Sequence, residues 1–262
     1  MNNLGLLNDI SLLPVGVYIQ LLIRLKFIDD AIIRSNEPEE VLTYTYSPPL
    51  NSRFIIPWRK IKGKLRRLSL EKQRSFDIEK DCHLKDNLCL RCPVCFLFGA
   101  TGETGAAKVS YNILSRVLGE TFISTTEVSE LMPQTQNAID EKTQTTGQAL
   151  MSIVTVPKET EFLGVVTLRD PTPEMASILV DNLERITRLG ASTREWGRVE
   201  TTIIGYRISD REELTAYDHV PPKKPAQGLG KISELGLPDV ETSYKNLDLS
   251  FKSLLKANKL LK

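Results

Sequence analysis

Histidine is almost missing: the 262 residues contain two, His83 and His219. No Ser/His/Asp or Cys/His set for nucleophilic catalysis can be assembled from them, since His219 stands alone beside a proline-rich segment. No P-loop and no Rossmann glycine fingerprint occurs, which argues against those forms of nucleotide chemistry. Aromatic residues are only 6% of the chain, and the basic, glycine and aromatic run with which RRM sheets stack bases is absent. Any bound nucleic acid is therefore expected to be held through its backbone. Long apolar runs are missing too. The longest, Val15 to Ile28, is broken by Gln20, Arg24 and Lys26, which excludes a membrane span there. The N-terminus lacks the basic start and small-residue cleavage site of a signal peptide. A cytoplasmic protein with no membrane partner is the expectation. Charge of one sign is also lacking: 34 Lys+Arg face 33 Asp+Glu, a net +1. That argues against a uniformly basic polyanion coat but leaves a local basic groove open.

What is present is clustered. All four cysteines, Cys82, Cys89, Cys92 and Cys95, fall within fourteen residues. Short C-x2-C loops bring thiolates to tetrahedral separation, so the pattern points to a structural metal. Zinc is favoured over an iron–sulfur cluster because no other electron-transfer feature accompanies it. Four protein ligands leave no open position for catalysis. His83, next to Cys82, is the alternative ligand.

Charge is segregated along the chain. From Arg53 to Arg74 there are nine basic residues and one acid, Glu71, a local +8. From Glu120 to Glu141 there are five acids and no base, and from Tyr244 to Lys262 five lysines face only Asp248. A stacked protein could set the acidic stretch of one copy, Glu127 and Glu130 included, against the basic stretch of the next.

The periodicities give an element order. Alternation over Val15 to Ile28 predicts a strand with one core face, leaving Arg24 and Lys26 on the other. Val41 to Tyr46 is a short strand. Pro57 starts a helix over 58–75, whose apolar face is Trp58, Ile61, Leu65 and Leu68. Gly63 weakens it by about 1 kcal/mol relative to Ala and marks a close backbone approach. Residues 108–122 read as mostly strand, 125–146 as polar turns, and 149–156 and 161–168 as two strands. A helix over 173–189 has Thr172 as cap, Pro173 at its first position and Gly190 at its end. A strand over 199–208 follows, then an irregular stretch 211–243 and a short basic terminal helix from Tyr244. Strand, helix, strand, strand, helix, strand is the split βαβ plan. The expected class is α+β, a ferredoxin-like βαββαβ palm.

Five motifs, in order and spacing, resemble the backbone subunit of CRISPR effector complexes, most closely the subtype I-D variant. They are Ile-Asp-Asp-Ala-Ile-Ile-Arg (28–34), Phe-Ile-Ile-Pro-Trp-Arg-Lys-Ile-Lys-Gly-Lys-Leu-Arg (54–66) and Cys-Pro-Val-Cys-Phe-Leu-Phe-Gly (92–99). The fourth is Asn-Ala-Ile-Asp (137–140) with Thr-Thr-Gly-Gln-Ala (145–149) and Val-Pro (156–157). The fifth is Gly190 with Trp-Gly-Arg-Val (196–199). Together they span most of residues 15–208. Trp58-Arg59-Lys60 stands where the family often has Gly-Ser-Ser.

The resemblance implies a modified RRM-like palm over 1–208. Its insertions would be at about 29–57, 76–105 (zinc-containing) and 124–158 (a thumb), with 209–262 as a C-terminal segment and terminal helix. It implies that copies stack along a CRISPR guide RNA, with other effector subunits, and present its bases to a target DNA or RNA strand. Lys60, Lys62 and Lys64 would hold guide phosphates, with Arg59, Arg66 and Arg67 on the same basic helix. Arg194, Gly197 and Arg198 match the glycine-rich loop that contacts guide. Arg24 and Lys26 are further contacts, and Met132 and Asn137 belong to the thumb. Related type III subunits cut target RNA with an aspartate matching Asp29, a chemistry that would need Mg. Two alternatives to a purely structural subunit therefore stand: the same scaffold cleaving at Asp29, and a zinc-stabilised adaptor whose basic helix docks acidic proteins.

Overall fold

The computed structural model describes residues 5–34, 42–84, 87–102, 109, 111–128, 134–139 and 146–260, with backbone alone for 134–139 and 146–153. It is an α+β structure around an antiparallel sheet. Its strands are β1 (Tyr18–Phe27), β2 (Thr43–Thr45), β3 (Ser52–Ile56), β4 (Val117–Gly119), β5 (Phe122–Glu127), β8 (Glu161–Arg169) and β9 (Val199–Ser209). Their order is β2-β3-β5-β8-β1-β9, with β4 also on β8. A separate hairpin pairs β6 (Gln134–Ile139) with β7 (Thr146–Ile153).

The central strand β1 follows its sequence pattern. Ile19, Leu21, Ile23, Leu25 and Phe27 enter one large core with helices α1 (Trp58–Ser75), α2 (Pro93–Phe98), α3 (Pro173–Glu184) and α4 (Val240–Ala257). Leu22 points the other way, into a second small core with Leu50, Leu163, Val165, Leu214, Ala216 and Val220. Helix α1 spans the predicted residues and buries Ile61, Leu65 and Leu68, with Trp58 half-buried.

Several elements differ from expectation. Helix α3 starts as predicted, the Thr172 hydroxyl accepting from the Met175 amide at 3.4 Å, but ends at Glu184 rather than 189. Arg185 caps it, and Ile186 and Leu189 stay buried in irregular chain, so their apolar spacing reported burial and not helix. Gly190 is no helix cap. At φ +110 it lies where a Cβ would meet the Ile32 carbonyl at 2.7 Å. Within 108–122, described strand is confined to β4 and the first residue of β5. The stretch 125–146, expected as polar turns, holds β6, and β7 starts three residues earlier than the predicted strand.

The C-terminal residues also build more than expected. Helix α4 has 18 residues and buries Tyr244, Leu247, Phe251 and Leu255. Residues 213–223 close the second face of the sheet through polar contacts. Gln20 Oε1 accepts from the amides of Glu213 and Leu214 at 2.7 and 2.8 Å, and its Nε2 donates to Leu214 O at 2.9 Å. Glu120 Oε1 accepts from Val165 N and Ala216 N, and Oε2 from the Thr215 hydroxyl, at 3.0, 2.6 and 2.7 Å. Arg53 Nη2 donates to Pro221 O at 2.9 Å. Buried polar groups need such partners. Among the described residues no helix is long and apolar enough to cross a membrane.

Candidate nucleic-acid interface

Three chain segments converge at the start of α1. The loop after β1 pairs with the glycine-rich loop at Ile32 and Ala191, and with the chain before β8 at Ala31 and Val156. Asp29 and Asp30 tie this junction. Asp29 Oδ1 accepts from the Arg198 amide at 2.6 Å, and Asp30 Oδ1 from the Lys158 amide at 2.9 Å. The Gly197 amide donates to the Asp30 carbonyl at 2.9 Å. Gly197 is buried at φ +76, and a Cβ there would overlap the Leu189 carbonyl, so only glycine fits without strain.

Between this junction and α1 lies a groove of about 440 Å³. Arg34, Arg59, Lys60, Lys64, Arg67 and Arg188 line it, and among the described residues no carboxylate does. Gly63 forms part of its wall. A Cβ on Gly63 would meet only Arg67 Nη1, at 3.6 Å, so the expected close approach is not to the chain itself; the space opens onto the groove. Burial, and then the neighbouring Arg67 charge, hold the Lys64 ammonium below its usual pKa. Like charges gathered this closely repel one another, and a bound anion such as a phosphate relieves that repulsion.

The sequence-predicted residues thus divide. Arg59, Lys60, Lys64 and Arg67 share the groove. Lys62 turns aside, donating to Ser115 Oγ at 2.9 Å, and burial lowers its pKa. Arg66 lies beside it, half-buried, with Nε and Nη2 unpartnered. Arg198 is exposed and lines an adjoining cleft that shares Arg188, and Arg194 is exposed on the same loop. Gly197 shapes that loop from inside. Arg24 and Lys26 project from the second face of the sheet. Arg24 is half-buried, and Lys26 pairs with Glu159 at 2.6 Å, which raises its pKa first through that hydrogen bond.

Met132 lies outside the described residues, and Asn137 is described by its backbone alone, in β6 opposite Gln148. Of the acidic stretch, Glu120 is turned inward, and Glu127 accepts from Asn51 Nδ2 at 3.0 Å with Arg53 at 3.8 Å. Glu130, Asp140 and Glu141 lie outside the described residues. Sequence reading missed Arg34 and Arg188. Arg34 closes the first motif and Arg188 precedes Gly190, but only the pairing of Ile32 with Ala191 reveals that they meet.

The cysteines form one cluster. Their four Sγ atoms lie within 4.8 Å of one another, with Cys82–Cys95 at 3.7 Å and Cys92–Cys82 at 3.8 Å. A tetrahedron of zinc–sulfur bonds of about 2.3 Å has an edge of about 3.8 Å, so the set fits a structural metal ion. Three of the four are buried and Cys89 is half-buried. Burial pushes the Cys92 thiol up, whereas hydrogen bonding, from Cys89 first, pulls Cys82 down. His83 stays outside the set, exposed, its Nδ1 2.8 Å from Asp81 O. The cysteine loop is fastened to α4: Glu79 meets Arg91 at 2.9 Å and Lys252 at 3.0 Å, and Phe96 packs on Phe251 at 4.6 Å.

Comparison with known proteins places these features. No curated protein matches the chain. The crystal structure of Thermofilum pendens Csc2 superposes with a TM-score of 0.62 at 19% identity, covering 96% of this chain and 94% of that one. A chain of a Type IV-B CRISPR complex superposes with a TM-score of 0.51 at 15% identity, covering 85% and 96%. At these identities they show a shared fold. The family model for Csc2, a CRISPR protein family, matches residues 51–250, from β3 through most of α4. On that match over most of its length, this chain belongs to the Csc2 CRISPR family.

Proposed function

We propose that this chain is a guide-RNA-binding backbone subunit of a CRISPR effector complex, of subtype I-D, and that the groove between α1 and the glycine-rich loop holds guide phosphates. The carrying observation is the groove lining: six cations from three separate chain segments and, among the described residues, no carboxylate. Its chemistry is backbone recognition, in which phosphates are held and bases stay free for pairing with a target strand. Residues 1–208 act as an RRM-like palm, and the order β5-β8-β1-β9 with α1 and α3 in one core supports that reading. The insertion around 76–105 holds structural zinc at Cys82, Cys89, Cys92 and Cys95. The region 124–158, with Met132 and Asn137, acts as a thumb between stacked copies.

Asp29 acts as a positioning residue. One of its oxygens is committed to the Arg198 amide, at the turn that presents Arg198. Purification of the chain from cells expressing its CRISPR array tests the proposal. A small RNA of discrete length is expected to co-purify, and to be lost when Lys60 and Lys64 are both changed to Glu. A well-folded wild-type preparation free of RNA contradicts it.

A further inference from the structure

On the face of the sheet away from α1, three tyrosines form a row. Tyr44 lies on the edge strand β2, whose three residues are all exposed. Its ring is 4.7 Å from that of Tyr46, which is 5.8 Å from that of Tyr217. Lys223 Nζ stands 3.4 Å from the Tyr217 centroid, with Asp218 3.5 Å from the same ammonium. Tyr46 and Tyr217 pack against the second core, so the row is anchored at one end. At the other end Tyr44 is 56% exposed. Edge strands are ordinarily blunted with charge or proline. An aromatic side chain left in water here does little for folding, yet it is held against Tyr46, which packs in turn on Tyr217.

A braced, solvent-facing ring is how proteins hold an unpaired base. We propose that Tyr44 stacks an unpaired base of single-stranded nucleic acid, with Tyr46 bracing its ring and Tyr217 backing Tyr46. This rests on the reading that the chain binds nucleic acid. It adds a second contact, made by stacking, on the opposite face from the phosphate groove. The strand it takes is chemically either RNA or DNA, since every base has a π-face.

The test uses the full chain and short labelled oligoadenylates, one of RNA and one of DNA, each with a single 2-aminopurine. Tyr44→Ala is expected to weaken binding by about five-fold or more and to abolish the 2-aminopurine quenching. Tyr44→Phe keeps both. The salt dependence is unchanged in either variant, because no phosphate contact is lost. Loss confined to the RNA or the DNA probe supports the proposal and identifies the strand. Wild-type affinity and quenching in Tyr44→Ala, with Lys60 and Lys64 variants still defective, overturns the stacking site and leaves the groove standing. A Tyr44→Ala change in self-association without a change in oligonucleotide affinity also overturns it, and assigns the row to a contact between copies. Failure of the wild-type chain to bind either probe overturns both readings.

Discussion

Gly63→Ala separates folding from function because the two respond with opposite sign. Gly63 lies in the interior of an 18-residue helix, where glycine costs about 1 kcal/mol relative to Ala. The added methyl meets only Arg67 Nη1 at 3.6 Å, an ordinary contact with a flexible side chain, so nothing offsets the gain. The melting temperature is expected to rise by about 2–4 °C. The same methyl projects into the wall of the cationic groove. A phosphate seated beside Gly63 would be displaced from at least one charged hydrogen bond, worth about 1.5–3 kcal/mol, so RNA affinity should fall about tenfold or more. Calorimetry and anisotropy with a short single-stranded RNA measure both effects on one preparation. A lower melting temperature would refute the packing argument. A higher one with unchanged affinity would show that nothing binds against Gly63.

Stripping the metal with a chelator should lower the melting temperature. An ion present at a hundred times its dissociation constant contributes about 2.7 kcal/mol, which corresponds to about 5–10 °C. Hydrogen exchange should then quicken in α4, which Glu79, Lys252 and the Phe96–Phe251 contact fasten to the cysteine loop. Metal-free protein with unchanged stability would contradict the cysteine assignment, and mass spectrometry distinguishes zinc from iron. Burial raises the Glu120 pKa above its unfolded value, so its contribution to stability is full below about pH 4.3 and is lost as pH rises through the folded value. Glu120→Gln keeps acceptors for Val165 and Ala216 and a donor toward Thr215, so it should flatten this pH dependence in urea titrations. Equal pH profiles for both proteins would refute the assignment of this pH dependence to Glu120.

The parts of the fold legible in the sequence were those with a clean period and a chemical end. Helix α1 has Pro57 before it and apolar residues at spacings of three and four, and β1 alternates along its length except at Leu22. Helix α3 shows the limit. Ile186 and Leu189 continue its apolar rhythm and are buried, but Arg185 ends the helix and they are buried as loop. The second sheet face was hidden because its cover comes from residues 213–223, whose link to Gln20 and Glu120 is a set of side-chain hydrogen bonds without periodicity. The site was half legible. The basic residues of α1 could be read, but Lys62 lies about half a helix turn from Lys60 and Lys64, which face the groove. Arg34 and Arg188 are 154 positions apart and meet only through the pairing of Ile32 with Ala191.

The central claim is that the groove holds single-stranded RNA through phosphates, and the salt dependence of binding tests it most directly. If the six lining cations each met one phosphate, log affinity against log salt would fall with a slope of about −4. Changing Lys60 and Lys64 together to Ala should make that slope shallower by about 1.4, with unaltered melting temperature. A wild-type slope near zero, or a double variant with the wild-type slope, would contradict the account.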